Sequence, residues 1–452
     1  RSSMDAVIKR SLPIFKGLSQ NSPMSWTSRR SEKLKQIHAK FYPPALTLEV
    51  ECNGELTERE ITLTGVDIYT DAEELTDRIM EEERCFKPKQ RDVLLQTVQN
   101  IIRMQGVEYN SYVIFRIHRA HEMPLTRCAF NKMGDRFVTS SHDKTARIWD
   151  TEEGKELFVL SGHKSIVHCC TFNNPISNLI ATGSADKTCK IWGTEQGDLR
   201  MTLTGHTSDV VSAHFDHNST VLGTASRDTT VRLYDVETGS FLEELRGHKA
   251  ELSEFEFSSD DEIVITSSFD STAKIWDVRS GGETLTLSGH SNILSVAHFD
   301  WSSEKALTAS LDGTMRLWDL RTCTTTKVVE CHEGGVTDAC WSQYGEMIGT
   351  GGADNLVKIW TGEGDLMFTC EGHTDEINTT AFSPQGNRLM TSSVDTKCKI
   401  WDVTTGICVE TLSGHTDQIM SCAYNYSGDL IITASKDNTV IEWKASRTDY
   451  RV

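Results

Sequence analysis

Eight times, at intervals of 41–43 residues, the chain sets a histidine 22 or 23 residues ahead of an aspartate, and that aspartate six residues ahead of an aromatic ring. The histidines are His121, His163, His206, His248, His290, His332, His373 and His415; the ring is Trp in seven copies and Tyr234 in the third. Sixteen markers in register do not arise by chance. A fixed period of this length means a repeat architecture, in which each unit buries its core only against its neighbours.

The fourth copy shows what one unit is. Residues 252–257, LSEFEF, alternate and predict a strand. Residues 262–267, EIVITS, form a β-branched run that suits a strand buried on both faces. SFDS supplies turn chemistry, TAKIWD (272–277) predicts a third strand, and TLTLSG (284–289) a fourth beyond the loop VRSGGE. Four antiparallel strands make one propeller blade, so eight copies predict eight blades. After Lys444 only ASRTDYRV remains, too short for an outer strand. SYVIFRIH (111–118) alternates like one and is expected to complete the last blade, removing an exposed sheet edge.

SSFDSTAKIWD (267–277) and its seven counterparts resemble the WD40 repeat, over about residues 111–452. The resemblance implies an all-β fold: an eight-bladed WD40 β-propeller closed by an N-terminal outer strand. It also implies a hydrogen-bonded tetrad in each blade, His to Asp and Ser, and Ser to the Trp indole. In blade 4 these are His248, Ser268, Asp270 and Trp276. Such a network pairs buried polar groups and fixes one geometry. Blade 6 departs from the pattern, with Gly352 at the serine position and Cys331 before its histidine; blade 3 has Tyr234 for Trp. Eight identical catalytic triads would be an unprecedented use of a fold. Zinc needs several ligands converging on one ion at about 2 Å, whereas these histidines come one per blade. No catalytic, metal-binding or cofactor-binding residue is expected, and no enzyme.

Function is then expected on exposed positions. The resemblance implies that the residue before each turn Asp and the residue three after each His share one rim. Ile166, Asp209, Arg227, Glu251, Phe269, Ile293, Leu311 and Glu376 are the candidates there. Apolar side chains flanked by charge read either as a protein interface or as scattered surface residues. WDVR (276–279) and WDLR (318–321) are similar to the W-D-x-R box of WD40 substrate receptors of cullin-4 ubiquitin ligases, and give Arg279 and Arg321 an alternative role.

Charge narrows the partners. Residues 1–110 hold 16 Lys+Arg and 17 Asp+Glu; residues 111–452 hold 30 and 48, a net −18. So acidic a surface argues against nucleic acid; it fits partners with basic patches, or plain solubility. No run of about 18 apolar residues predicts a membrane span. Thirteen cysteines without a C-x-x-C, and no apolar secretory core, predict free thiols in a reducing compartment. A monomer is expected.

Residues 33–110 lie outside the repeat and predict a small α+β (ββαα) domain. PALTLEVEC (44–52) and REITLTG (59–65) alternate as strands, Thr70 and Glu73 have capping-box spacing, and residues 87–106 place Leu94, Leu95, Val98, Ile101 and Ile102 on one helix face. The module is either a cap on the propeller or half of a binding cleft. Residues 1–32 are an extension expected to be poorly ordered. KFYPPALTLEVECNGEL (40–56), the two helices, the outer strand and eight repeats together resemble the outer-arm dynein assembly factors of cilia and flagella, as do AFSPQGNRLMTSS (381–393) and SCAYNYSGDLIITASKDNTV (421–440). That resemblance implies a non-enzymatic cargo adaptor without a cofactor. Its implied partners are outer-arm dynein and a subunit of the intraflagellar transport train. Its implied locations are the cytoplasm, the basal body region and the axoneme.

Overall fold

The structure, a computed structural model, describes residues 33–450 except 41–43, 53–54, 64–65, 67–69, 84–85, 87 and 106; the extension 1–32 lies outside them. The described residues fall into two compact units that part between Glu108 and Tyr109 and again between Thr448 and Asp449.

The first unit carries a three-stranded antiparallel sheet, Lys33–Lys40, Ala45–Cys52 and Glu55–Thr62, in that order. Sequence alternation reveals the last two strands and hides the first. A bulge between Leu34 and Gln36 breaks its period, so that Leu34 and Ile37, three residues apart, both join the core. Two helices follow, Ala72–Glu82 and Arg91–Gln105. The first is capped by Asp71 rather than Thr70: Asp71 Oδ1 accepts the N–H of Glu73 at 2.9 Å and of Glu74 at 3.4 Å. The second buries Leu94, Val98 and Ile101, spaced at helical period, in one cluster with Leu46, Leu48 and Leu63.

The second unit is eight four-stranded antiparallel sheets. Blade 4 consists of Leu252–Phe257, Ile263–Ser268, Thr272–Asp277 and Glu283–Ser288, within one residue of the strands its sequence predicts. The first strands of the blades contact one another in cyclic order, and Ile419–Tyr424 of the last closes on Leu125–Phe130 of the first. These strands therefore form the inner wall of a propeller. The cores lie between blades, as a repeat architecture requires: Val231, Leu233 and Leu245 of blade 3 share a cluster with Phe255, Val264 and Trp276 of blade 4.

The last blade runs Ile419–Tyr424, Leu430–Ser435, Thr439–Tyr450 and Val107–Arg119, so its outer strand comes from the N-terminal side, as expected. The seam between the last two strands is held by a buried carboxylate. Glu442 Oε1 lies 2.6 Å from His118 Nε2, and its Oε2 lies 3.6 Å from Arg116 Nη1. Farther along, the Tyr112 hydroxyl donates to the Gly428 carbonyl at 2.6 Å. The eleven cysteines from Cys128 to Cys422 are free, and no described helix is long and apolar enough to cross a membrane.

Candidate interaction surface

The polar residues that recur in every blade are committed to one another. In blade 4, Trp276 Nε1 donates to Thr266 Oγ1 at 2.9 Å, Thr266 Oγ1 lies 2.8 Å from His248 Nε2, and His248 Nδ1 lies 2.9 Å from Asp270 Oδ2. The hydroxyl in the tetrad is thus Thr266, not Ser268. Ser268 instead donates to the Glu251 carbonyl at 2.9 Å and accepts the Asp270 N–H at 3.2 Å, tying the turn to the loop that enters the blade. Antiparallel pairing explains the correction. Val264 lies opposite Trp276, and Thr266 follows two positions on along the same strand, pointing to the same face. The serine lies beyond the reach of that ring. The same threonine recurs as Thr139, Thr182, Thr224, Thr308, Thr350, Thr391 and Thr433, each within 3.0 Å of its histidine.

Blade 6, which breaks the serine pattern, has its tetrad intact: His332 to Asp354 at 2.8 Å, His332 to Thr350 at 2.9 Å and Trp360 to Thr350 at 3.0 Å. Gly352 is needed there, because a Cβ would stand 2.3 Å from His332 Nδ1. In blade 3 the Tyr234 hydroxyl reaches past the threonine to donate to the Thr204 carbonyl at 3.2 Å.

A hydroxyl, an imidazole and a carboxylate in series resemble the constellation of a hydrolase. Here the hydroxyl is sealed: Thr266 has 0 % of its surface exposed. Burial lowers the pKa of His248, so the ring is neutral, with one nitrogen donating and the other accepting. Burial alone would raise Asp270, but bonds from Thr272, Lys249 and His248 outweigh it and hold the carboxyl at about 2. The chemistry is bracing.

The rim candidates sit in pairs. In every blade the N–H of the residue before the turn aspartate donates to the carbonyl of the residue three after the histidine. Phe269 bonds Glu251 at 2.8 Å, Leu311 bonds Ile293 at 3.0 Å and Arg227 bonds Asp209 at 2.9 Å; Ile166 and Glu376 accept from Ala185 and Val394. All eight candidates therefore lie on one rim, the side of the second-to-third-strand turns. Phe269 and Leu311 are 42 % and 40 % exposed, large apolar side chains on adjacent blades, while Ile166 and Ile293 are half-buried. Arg227 is held between Asp209, 3.4 Å away, and Glu251 of the next blade, 3.7 Å away. Arg279 and Arg321 lie on the opposite rim, in third-to-fourth-strand turns, and are exposed; each pairs weakly with a glutamate, Glu262 at 3.6 Å and Glu304 at 3.5 Å.

The central channel carries charges that sequence reading missed. Its cavity of about 560 Å³ is lined by the inner strands, among them Arg127, Glu254, His298 and Asp338. Arg127 of blade 1 reaches Glu254 of blade 4 at 3.4 Å, a tie across the ring. Burial opposes a charge on His298, but Glu256, 3.0 Å away, and Glu254 raise its pKa to about 9. Burial raises Asp338 to about 6 against two bonds from Thr380. The one available signal was Arg127, Glu254 and Asp338 at the third place of strands otherwise apolar or small at alternate positions. Among the described residues, no group of three or more His, Cys, Asp or Glu is placed to hold a metal ion.

The family model "WD domain, G-beta repeat" matches eight segments, 113–150, 154–193, 197–235, 239–277, 281–319, 322–361, 364–402 and 406–444. The chain belongs to the WD40-repeat family. Among curated WD40 relatives, it is 41 % identical over 151 residues to the Mus musculus protein named "Dynein assembly factor with WD repeat domains 1", and 39 % identical over 149 residues to the Homo sapiens protein of the same name. Each alignment takes in 33 % of this chain and 36 % of the relative, so the chain spans about a third of the length of the relatives it matches. Among solved structures, the crystal structure of the computationally designed Ika8 protein superposes with a TM-score of 0.65 at 28 % identity, covering 72 % of this chain and 97 % of that one.

Proposed function

We propose that this WD40 protein serves dynein assembly as a non-enzymatic adaptor, joining outer-arm dynein to the intraflagellar transport train for delivery into cilia or flagella. The observation that carries this is the likeness, at about 40 % identity, to relatives named dynein assembly factors. The geometry supports the adaptor part. The repeated polar residues are consumed in bracing, and the turn-aspartate rim exposes an apolar pair on adjacent blades, Phe269 and Leu311, with the carboxylate of Glu251 on the same blade as Phe269 and that of Glu376 farther round the ring. Apolar anchors ringed by charge suit a protein partner. The N-terminal unit supplies a second contact surface, and two weak contacts on one chain hold a large cargo by avidity. The protein acts as a monomer, in the cytoplasm, near the basal body and along the axoneme.

The test is capture of purified transport-train subunits and outer-arm dynein by the wild-type chain and by Phe269→Asp/Leu311→Asp. The proposal expects wild type to capture at least one of the two and the double variant to lose it. Capture of neither by wild type would overturn the adaptor, and unchanged capture by the variant would remove the rim from it.

The exposure of Arg279 and Arg321 favours a second reading, a substrate receptor of a cullin-4 ubiquitin ligase. That reading requires capture of the ligase's adaptor subunit by wild type and its loss in Arg279→Ala/Arg321→Ala; no capture by wild type discards it.

A further inference from the structure

The rim opposite the turn aspartates carries its own apolar surface, built by the turns between first and second strands. Met133 and Ile176, on neighbouring blades 1 and 2, are 80 % and 61 % exposed, and Trp301 of blade 5 is 58 % exposed. Tyr344 of blade 6 and Tyr426 of blade 8 stand in the same turns, half-buried. Lys132 Nζ lies 3.8 Å over the Tyr426 ring, and the Trp301 indole lies against Gly345, where a Cβ would come within 3.1 Å of Cδ1. Trp, Tyr and Met are the side chains that recur at the centres of protein interfaces.

These turns are fastened to one another. Lys132 N–H donates to Ser177 Oγ at 3.3 Å between blades 1 and 2. His217 N–H donates to Asp261 Oδ1 at 3.0 Å between blades 3 and 4, and Ser259 N–H to Ser303 Oγ at 2.9 Å between blades 4 and 5. Gln385 Nε2 donates to the Ser427 carbonyl at 2.8 Å between blades 7 and 8. A collar tied across blades presents its aromatic rings already ordered, which lowers the entropy a partner's docking would cost.

The charge on these turns selects the occupant. Residues 131–135, 173–178, 216–220, 258–262, 300–304, 342–346, 383–387 and 425–429 contain nine Asp+Glu and one Lys; Asp216 and Asp300 are buried in their own turns, and seven acids remain. Arg279 and Arg321 pair with two of the seven, Glu262 and Glu304, and the set stays negative. We propose that this collar is a docking site for an extended cationic segment of a partner protein, in which arginines or lysines alternate with aliphatic side chains. The aliphatic residues lie on Trp301 and Tyr344 of adjacent blades, and the basic residues meet the exposed carboxylates of the same turns, Glu304 and Glu346. The proposal goes beyond the assembly reading and stands without it, on the collar's own aromatic side chains and carboxylates.

The experiment is fluorescence anisotropy of the full chain with a labelled peptide of alternating arginine and leucine, against a glutamate–leucine counterpart. The arginine–leucine peptide should bind wild type, more weakly as salt rises. Its affinity should fall about tenfold in Trp301→Ala/Tyr344→Ala and about threefold in Glu346→Lys, and stay unchanged in Phe269→Ala/Leu311→Ala. Glu346 is exposed, so the charge variant keeps the test alive if the aromatic variant unfolds. No binding to wild type, equal binding of the glutamate peptide, indifference to Glu346→Lys, or loss only in the Phe269 variant would each overturn the proposal.

Discussion

Thr266 satisfies two buried groups at once, the indole N–H of Trp276 and the free nitrogen of His248. Thr266→Val keeps the shape and removes the hydroxyl, leaving both unpaired in a low-dielectric core. We expect a loss of about 1–3 kcal/mol in urea denaturation, largely restored in Thr266→Ser. Phe269→Ala, at an exposed rim position, should change stability by no more than about 0.5 kcal/mol. The contrast separates bracing from surface within three residues of sequence. Three members of the tetrad, His248, Asp270 and Trp276, were legible as markers held in register. The fourth was not. Threonine and serine stand two positions apart on one strand and so share a face; which of them lies within reach of the tryptophan is decided by cross-strand register, which residue spacing alone does not carry.

At the scale of elements, the closing strand depends on Glu442. Its side chain is 1 % exposed and is held by His118 and Arg116, which belong to the strand that completes blade 8. Glu442→Leu leaves the Arg116 guanidinium and the His118 ring facing an apolar side chain, and should cost about 3 kcal/mol, with hydrogen exchange accelerating first in residues 112–118. In the first unit, Asp71→Ala should cost about 1 kcal/mol, because its carboxylate caps the first helix. The sequence pattern finds elements best where period and burial agree, as in residues 252–277. It misplaces them where one residue disturbs the period: the bulge after Leu34 conceals a whole strand, and a capping box read one residue early misassigns the cap.

For the whole molecule, seven of the eight turn aspartates have carboxyl pKa values held below the ordinary range, Asp186, Asp270, Asp312 and Asp395 at about 2. An acid whose pKa falls on folding adds stability above its unfolded value near 3.8, and loses it as pH falls through the folded value. Burial lowers His163, His248, His290 and His332; protonating them below about pH 6.5 also favours the unfolded chain. The propeller should therefore weaken on acidification and lose stability most steeply between about pH 4 and pH 2, which thermal melts across that range will show. His298, raised to about 9, works in the opposite sense: its contribution is complete below about pH 6.5 and fades as pH rises through 9. The eight-bladed plan was fully legible, because it is written eight times. The channel charges and the aromatic collar were not, because each lies on a few blades only, and a repeat pattern hides what its copies do not share. We propose that the chain brings dynein into cilia. This delivery is tested most directly by electron tomography of axonemes from cells lacking the protein. The account predicts axonemes missing outer dynein arms, restored by the wild-type chain and not by Phe269→Asp/Leu311→Asp; a full complement of outer arms in the absence of the protein would contradict it.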